Sequence, residues 1–256
     1  MLSSTRTLRA FLMTQHVSSY GATAGAVPGM TSLSSNDFED FIYLISHDVR
    51  NSVRALIELP QWIAEDLTEA GVKVDGSVAE SIELMNRHTG RLDRMLVDLL
   101  TFSRVGRMQS VEEIDLNIAL NDVLEEMRIP SGFTVVHALD CHQIEIGDRD
   151  ILTLLTALIS NAIKHHDRTV GKVIVSCYRD AGHVVLSVRD NGPGIPVGYH
   201  EKVFGAMTTL RPRDEVEGSG MGLAVTRKIA QHYDGDVKII ENSESRGTII
   251  EVRLTA

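Results

Sequence analysis

The side chains around His47 could support nucleophilic chemistry. Asp48 follows the histidine directly, and Asn51 lies four residues further on, which places it on the same face of a helix. An exposed imidazole with a pKa near the ordinary ~6.5 is a usable nucleophile at neutral pH. A carboxylate beside it can accept the proton that leaves when the other ring nitrogen attacks phosphorus. The alternative is an ordinary solvated histidine on a helix surface.

Two glycine-rich segments could hold a phosphorylated ligand, because seven of the 20 glycines fall between positions 192 and 222. In the first segment, Gly192 and Gly194 follow Asp190, whose carboxylate could accept a hydrogen bond from an exocyclic amine such as that of adenine. A plain turn is the alternative there, since Asn-Gly and Pro-Gly are turn dipeptides. The second segment opens a predicted helix, whose free amide N–H groups suit a phosphate. Its alternating glycines are Gly218, Gly220 and Gly222.

Asn161 and Lys164 lie about one turn apart on a predicted helix at residues 150–165. An amide oxygen can bind Mg²⁺, which prefers hard oxygen ligands, and an ammonium group can contact a phosphate. An ordinary polar helix end is the alternative. His165 and His166 have no cysteine or carboxylate partners at ligand spacing, so they do not predict a metal site.

The apolar spacing predicts the elements that would carry the first of these groups. Apolar residues in steps of four and three begin after position 37 and indicate a helix of about eight turns that ends near Gly71. This pattern places His47 farthest from the apolar seam. A second helical pattern runs from Gly76 to Gly106 and completes a helical hairpin. One hairpin cannot bury the seam alone, so we expect a homodimer with a four-helix bundle. The seam consists of Phe38, Ile42, Ile45, Val49, Leu56, Leu59, Ile63 and Leu67.

The remaining residues combine helical and strand-like segments, with predicted β-hairpins at residues 173–190 and 237–254. This order predicts an α/β sandwich in which helices cover one face of antiparallel strands. The chain therefore divides into a flexible tail at 1–36, a helical dimerisation domain at 37–107 and an α/β domain at 108–256.

Composition limits the classes of partner and compartment. The 25 Lys and Arg residues face 35 Asp and Glu residues, and the net charge of -10 argues against a general nucleic-acid binder. No run of 18 apolar residues occurs, so we expect no membrane span. Cys141 and Cys177 form neither a disulfide framework nor a metal motif, which favours the reducing cytoplasm.

Taken together, these segments resemble the H, N, G1, F and G2 boxes of sensor histidine kinases. Residues 99–106 and 210–218 look most like the phytochrome-type branch of that family. The resemblance covers residues 37–256 and implies a dimerisation and phosphotransfer bundle followed by a Bergerat-type ATP-binding domain. The matching segments are residues 46–50, 160–164, 190–195, Phe204 and 218–223.

The resemblance also implies roles for matching residues in the transfer reaction. His47 would accept the phosphoryl group, and Asp48 would be its general base. Asn51 would orient the water that dephosphorylates a partner regulator. Asn161 would ligate Mg²⁺, and Lys164 would neutralise phosphate charge.

A further set of matching residues would bind ATP. Asp190 would bind adenine, supported by Thr248 from the last hairpin, with Gly192 and Gly194 in the same loop. Residues 197–217 would form a mobile lid over the nucleotide. Within that lid, Phe204 would be the anchor and Arg213 would reach the γ-phosphate. The phosphates would be wrapped by Gly218, Gly220 and Gly222.

The resemblance implies a two-component kinase that phosphorylates His47 from Mg-ATP and transfers the group to an aspartate of a response-regulator receiver domain. Two positions depart from the family pattern, because Ser52 replaces a proline and Ala157 replaces an asparagine. They support the alternative of a phosphotransfer or phosphatase protein with weak or no kinase activity. A third class, an ATPase that clamps a dimer, lacks the exposed histidine on a preceding hairpin. Input would come from a separate sensory protein or through the N-terminal tail.

Overall fold

The computed structural model describes residues 35–107, 109–211, 218–241 and 246–255. The side chains of residues 35–41 and of His47 lie outside this description, although the backbone of these residues is helical. The predicted tail at 1–36 also lies outside it, except that Ser35 and Asn36 already belong to the first helix. Residues Asp37–Ala256 form one compact unit.

Two long antiparallel helices form the predicted hairpin. Helix α1 spans Ser35–Glu69 and helix α2 spans Gly76–Arg104. Arg50 Nε lies 3.1 Å from Asp93 Oδ1, and the Arg104 guanidinium lies 5.2 Å from the centre of the Tyr43 ring. These two contacts bracket His47, so its backbone is in line with the part of α2 between residues 93 and 104. The helix continues through Pro60, which donates no backbone hydrogen bond.

The predicted apolar seam is only partly buried in the single hairpin. Ser46 and Val53 share a face with Arg50, and both are buried. The neighbouring face carries an apolar stripe whose members are each 42–45% exposed: Ile45, Val49, Leu56 and Ile63. A single hairpin thus leaves large aliphatic side chains in water, as the heptad pattern predicts for a chain that pairs with a second copy.

The α/β part contains a two-stranded and a five-stranded sheet. Strand order in the larger sheet is β2-β4-β5-β7-β6, and β1 pairs with β3 in the smaller one. The strands and helices in chain order are β1 (Val111–Asp115), α3 (Leu116–Glu126), β2 (Phe133–Leu139), β3 (Gln143–Gly147), α4 (Asp148–Lys164), β4 (Gly171–Asp180), β5 (His183–Asp190), α5 (Gly222–His232), β6 (Asp236–Ile240) and β7 (Ile249–Thr255).

Both predicted β-hairpins are present, since β4 pairs antiparallel with β5 and β6 pairs antiparallel with β7. One expectation was wrong, because β2 and β4 run parallel rather than antiparallel. The physical reason is the crossover between them: β3 and α4 carry the chain back along the sheet before β4 begins. A crossover of this kind sets the direction of the next strand independently of its side-chain pattern.

Helices α4 and α5 bury their apolar faces against one face of the large sheet, as expected, and α3 packs against α4. The centre of this core is α4, which supplies the fully buried Leu154, Leu155 and Ile159. Alternate residues of β4 meet them from the sheet and are also fully buried: Val173, Val175 and Cys177. Within the described ranges, no helix has the length and apolar character needed to cross a membrane.

Candidate functional site

A cavity of about 910 Å³ opens beside the helical face of the large sheet. Its walls come from α4, the ends of β5 and β7, the glycine-rich segment before α5, and α2 of the hairpin. The cavity brings together eight of the residues singled out from the sequence: Asn161, Lys164, Asp190, Gly194, Gly218, Gly220, Gly222 and Thr248.

The Asp190 carboxylate is held in a fixed orientation at the end of β5. Its Oδ1 accepts hydrogen bonds from the Gly192 N–H at 2.8 Å and the Thr248 N–H at 3.2 Å. The Asp190 N–H in turn donates to the Thr248 carbonyl at 2.9 Å. Among the described residues, Oδ2 has no hydrogen-bond partner. The side chain therefore presents one acceptor oxygen to the cavity, as recognition of an amine requires.

Gly247 permits the close approach between β7 and the end of β5. It has φ +114, and a Cβ at this position would lie 1.9 Å from the Asp190 carbonyl oxygen. Only glycine fits here, because backbone occupies the space of a side chain. We did not select Gly247 from the sequence, although its place directly before Thr248 and a strand was a usable signal.

The end of α4 presents polar groups to the same cavity. Asn161 is half-buried, and its side-chain amide has no hydrogen-bond partner among the described residues. Lys164 is exposed one turn later. Ala157 lines the cavity one turn before Asn161, so a methyl group stands where a second amide would otherwise be.

The first turn of α5 closes another side of the cavity. Met221 precedes the helix without capping it through a side chain, so the N–H groups of the first turn remain available to an anion. The Ser219 hydroxyl accepts a hydrogen bond from the Met221 N–H at 3.0 Å, which shapes the glycine-rich segment locally.

His165 and Arg211 also line the cavity, and we did not select either from the sequence as a ligand-binding residue. Burial lowers the pKa of His165, and the Arg211 and Lys164 charges lower it further. The neutral imidazole is therefore favoured beside two cations. Among the described residues, the lining as a whole is balanced, because three cationic side chains (Arg94, Lys164 and Arg211) accompany three carboxylates (Asp98, Glu126 and Asp190). Lys164 and Arg211 are the cations beside His165, and they could contact an anion there.

His166 has a structural role instead. Its Nδ1 accepts the Arg168 N–H at 3.0 Å, so Nε2 carries the proton and donates to Asn191 Oδ1 at 3.1 Å. Asn191 Oδ1 also accepts the Lys172 N–H at 2.8 Å. These bonds fix the loop that follows β5.

Several sequence-selected residues lie away from the cavity wall. Gly192 is buried behind it as a donor to Asp190, and Phe204 is buried under the Arg227 guanidinium, 4.6 Å from the ring centre. Arg213 lies outside the described residues, as does the part of the predicted lid at 212–217. On α1, Asp48 is exposed and Asn51 half-buried.

Helix α2 contributes a wall that the sequence did not indicate. The cavity-lining residues of α2 lie between positions 93 and 104, which is the part of α2 opposite His47 in the hairpin. They are Arg94, Val97, Asp98 and Thr101. The cavity therefore reaches the part of the hairpin that contains His47, so a ligand bound in it would lie near that part of α1.

The side chains present fit a nucleotide with a divalent cation. The unpartnered Asn161 amide can supply one hard oxygen ligand, and phosphate oxygens can supply others. Among the described residues, no cluster of three or more histidine, cysteine, aspartate or glutamate side chains could bind a metal by itself.

Comparison with known proteins agrees with this geometry. Residues 147–256 match the family model of the histidine kinase-, DNA gyrase B- and HSP90-like ATPases. The methanogenesis regulatory histidine kinase FilI of Methanothrix harundinacea is 30% identical over 231 residues, which are 87% of this chain and 25% of FilI. Cyanobacterial phytochrome B of Nostoc sp. is 29% identical over 219 residues, covering 80% of this chain and 28% of the phytochrome. The chain thus spans about a quarter of the length of these relatives.

Solved structures share the fold. Full-length ShkA in complex with AMPPNP superposes with a TM-score of 0.63 at 20% identity, covering 85% of this chain and 46% of ShkA. Histidine kinase ThkA in complex with response regulator protein TrrA superposes with a TM-score of 0.58 at 20% identity, covering 86% and 64% of the two chains. Both likenesses extend over the hairpin as well as the α/β part.

We expect His165 to titrate below 6.5, and we expect Arg211→Gln to raise its pKa. The pKa of His165 is lower in the folded chain than in the unfolded chain, so the unfolded chain binds more protons as the pH falls through 6.5. Protonation of His165 therefore lowers the free energy of unfolding at acidic pH and has no effect on it at higher pH. Ring-proton shifts in NMR measure both effects. Arg179→Gln, at the far end of β4, is the control. A His165 pKa at or above 6.5 would contradict the burial and charge argument.

Proposed function

We propose that this chain is a protein-histidine kinase that phosphorylates His47 from ATP. Residues 147–256 match the family model of the histidine kinase-, DNA gyrase B- and HSP90-like ATPases, and the chain is 30% identical to the histidine kinase FilI over 231 residues. In this proposal, residues 37–107 are the dimerisation and phosphotransfer domain and residues 108–256 the catalytic domain. One observation carries it above the others: the cavity that holds Asp190, Asn161 and Lys164 is also lined by α2 beside the level of His47.

The adenine would bind at Asp190. Backbone N–H groups already occupy Oδ1, so Oδ2 is the atom that accepts a hydrogen bond from the exocyclic amine. The site excludes a base with a carbonyl at that position, because two acceptors would then face each other. Thr248 supports this recognition by holding the carboxylate through its N–H.

The triphosphate would extend toward α5 and the end of α4. The uncapped first turn of α5, Lys164 and Arg211 supply the positive groups that balance its charge. Mg²⁺ bound with the phosphates would add charge neutralisation, and Asn161 would hold it. Ala157 leaves this cation with one amide fewer than the family pattern provides.

The transfer itself would take place at His47 on α1. One ring nitrogen attacks the γ-phosphorus in line with the bond to the leaving ADP, so a P–N bond forms as the P–O bond breaks. The proton on the other ring nitrogen passes to a base, and Asp48 is the adjacent carboxylate. Positioning supplies most of the rate enhancement in this type of reaction.

The phosphoryl group would then pass to an aspartate of a response-regulator receiver domain. The shared fold with ThkA in its complex with TrrA supports this class of partner. Asn51 lies one turn from His47 and would orient water if the protein also dephosphorylates the regulator. The exposed stripe on α1 supports a homodimer, because a second hairpin would remove it from water.

A second candidate is a phosphotransfer or phosphatase protein with little kinase activity. Ala157 favours it, since a site with fewer cation ligands binds Mg-ATP less tightly. The intact Asp190 site favours the kinase. Titration of the chain with ATP separates the two, because the second candidate does not require nucleotide binding.

We expect incubation with γ-labelled ATP to give acid-labile label on the wild-type chain and none on His47→Gln, because the substituted amide cannot form the P–N bond. His88→Gln, which removes an exposed histidine from α2, should keep the label. Label that persists in His47→Gln would contradict the assignment of the acceptor.

We expect Asp190→Asn to weaken ATP binding by about tenfold or more, because an amide N–H₂ would face the adenine amine. The amide oxygen can still accept from Gly192 and Thr248, so the fold should persist. Calorimetric titration measures the affinity, and Asp122→Asn on the exposed face of α3 is the control. An unchanged affinity would show that Asp190 does not bind the base.

We expect Leu56→Glu to convert the dimer to monomer, because an unpaired carboxylate would be buried between the hairpins. Sedimentation velocity at micromolar concentration measures the change. Arg54→Glu introduces the same group outside the apolar stripe and should leave the dimer intact. A wild-type chain that sediments as a monomer would contradict the pairing itself.

A further inference from the structure

The Asp150 carboxylate connects the end of the hairpin to the α/β part of the molecule. Its Oδ2 accepts a hydrogen bond from the Gly106 N–H at 3.0 Å and another from the Tyr233 hydroxyl at 2.8 Å. The Tyr233 oxygen accepts the Gly147 N–H at 2.9 Å. Asp150 is only 3% exposed, so these bonds lie in the interior.

Asp150 is not used to cap its own helix. Acidic residues in the first turn of a helix are common, but here the Arg149 N–H of the first turn is accepted by Asp148 Oδ1 and Gln109 Oε1 and not by Asp150. A buried carboxylate is costly unless its oxygens accept hydrogen bonds. Here the bonds come from Tyr233 after α5 and from Gly106 in the segment that leaves α2.

Two further contacts hold the same segment. The Lys228 ammonium on α5 donates to the Phe102 carbonyl at 2.8 Å and lies 4.5 Å from the centre of the Phe102 ring. Gly106 has φ +73, and a Cβ there would lie 2.2 Å from the His232 ring. The segment at 102–106 is therefore packed tightly on α5 and its C-terminal end.

This docking determines where α2 lies relative to the nucleotide cavity. The α2 residues that line the cavity begin at Arg94 and end at Thr101, immediately before the docked segment. A helix is stiff over this length, so a change in direction at Gly106 would move the α2 wall away from the cavity.

We propose that Asp150 is a positioning residue for the kinase reaction, which docks the end of α2 so that the nucleotide cavity is held against α2 at the level of His47. This inference rests on the proposed function, but the docking can be measured without it. Burial and the Asp150 carboxylate raise the pKa of Tyr233, so its hydroxyl remains a donor at physiological pH.

Gly106→Ala tests the proposal because Gly106 has φ +73, which strains an alanine, and because its N–H is the one that Asp150 binds; the exposed His232 ring must also move away from the new methyl group. We expect kcat for His47 phosphorylation to fall about tenfold or more while KM for ATP changes less than about threefold. Gly182→Ala is the matched control: Gly182 has φ +84, but no atom lies within 4 Å of its Cβ position. Gly182→Ala introduces the same type of backbone strain at a site that does not contact the hairpin.

Asp150→Asn provides a second variant that preserves size. An amide oxygen is a weaker acceptor than a carboxylate, so we expect the same fall in kcat at nearly constant KM. Amide hydrogen exchange is the independent readout. Exchange at residues 103–107 should become faster in both variants, while exchange in the α4 core at residues 151–158 should stay slow.

The outcomes distinguish the two levels of inference. An unchanged or increased kcat in Gly106→Ala would overturn the positioning role, as would parallel losses of kcat, ATP affinity and core protection, which indicate a structural role only. Absence of label on His47 in the wild-type chain would overturn the proposed function. In that case, protection of Gly106 in the wild type and its loss in Asp150→Asn would still establish the docking.

Discussion

The Asp190 carboxylate is the interaction on which the cavity depends. One oxygen fixes two separate pieces of backbone, the turn at Gly192 and the start of β7 at Thr248. The other oxygen has no hydrogen-bond partner among the described residues, and Asp190 lines the cavity. A single side chain thus links two backbone segments at the cavity wall, and this explains why Gly247 must let the two backbones approach.

Charge near the cavity differs from charge on the rest of the chain. The net charge is -10, yet Lys164 and Arg211 stand beside a histidine whose pKa is lowered. The cavity lining is less acidic than the chain as a whole, because Arg94, Lys164 and Arg211 balance Asp98, Glu126 and Asp190. The uncapped start of α5 adds partial positive charge from backbone dipoles.

The hairpin and the α/β part meet at the end of α2 through apolar and polar contacts. Val105 is buried in the core of the α/β part, and Phe102 packs against that core. Asp150 and Lys228 bind backbone groups of that segment, which fixes its direction relative to α4 and α5. Contacts of this kind are strong in one geometry and are lost together when the geometry changes. They are therefore suited to a junction that fixes the direction in which α2 leaves the α/β part.

The sequence by itself determined the helices, most strands and the order of the ligand-binding segments, because periodicity and turn chemistry act between residues a few positions apart. Helix α1, the β4–β5 hairpin and the role of Asp190 as an available acceptor followed from such local patterns. Tertiary structure alone decided the parallel pairing of β2 with β4, the place of Gly247 and the different environments of His165 and His166. It also decided that Asp150 would meet Gly106, 44 residues away. Contacts over such separations depend on how whole elements pack, which residue spacing does not encode.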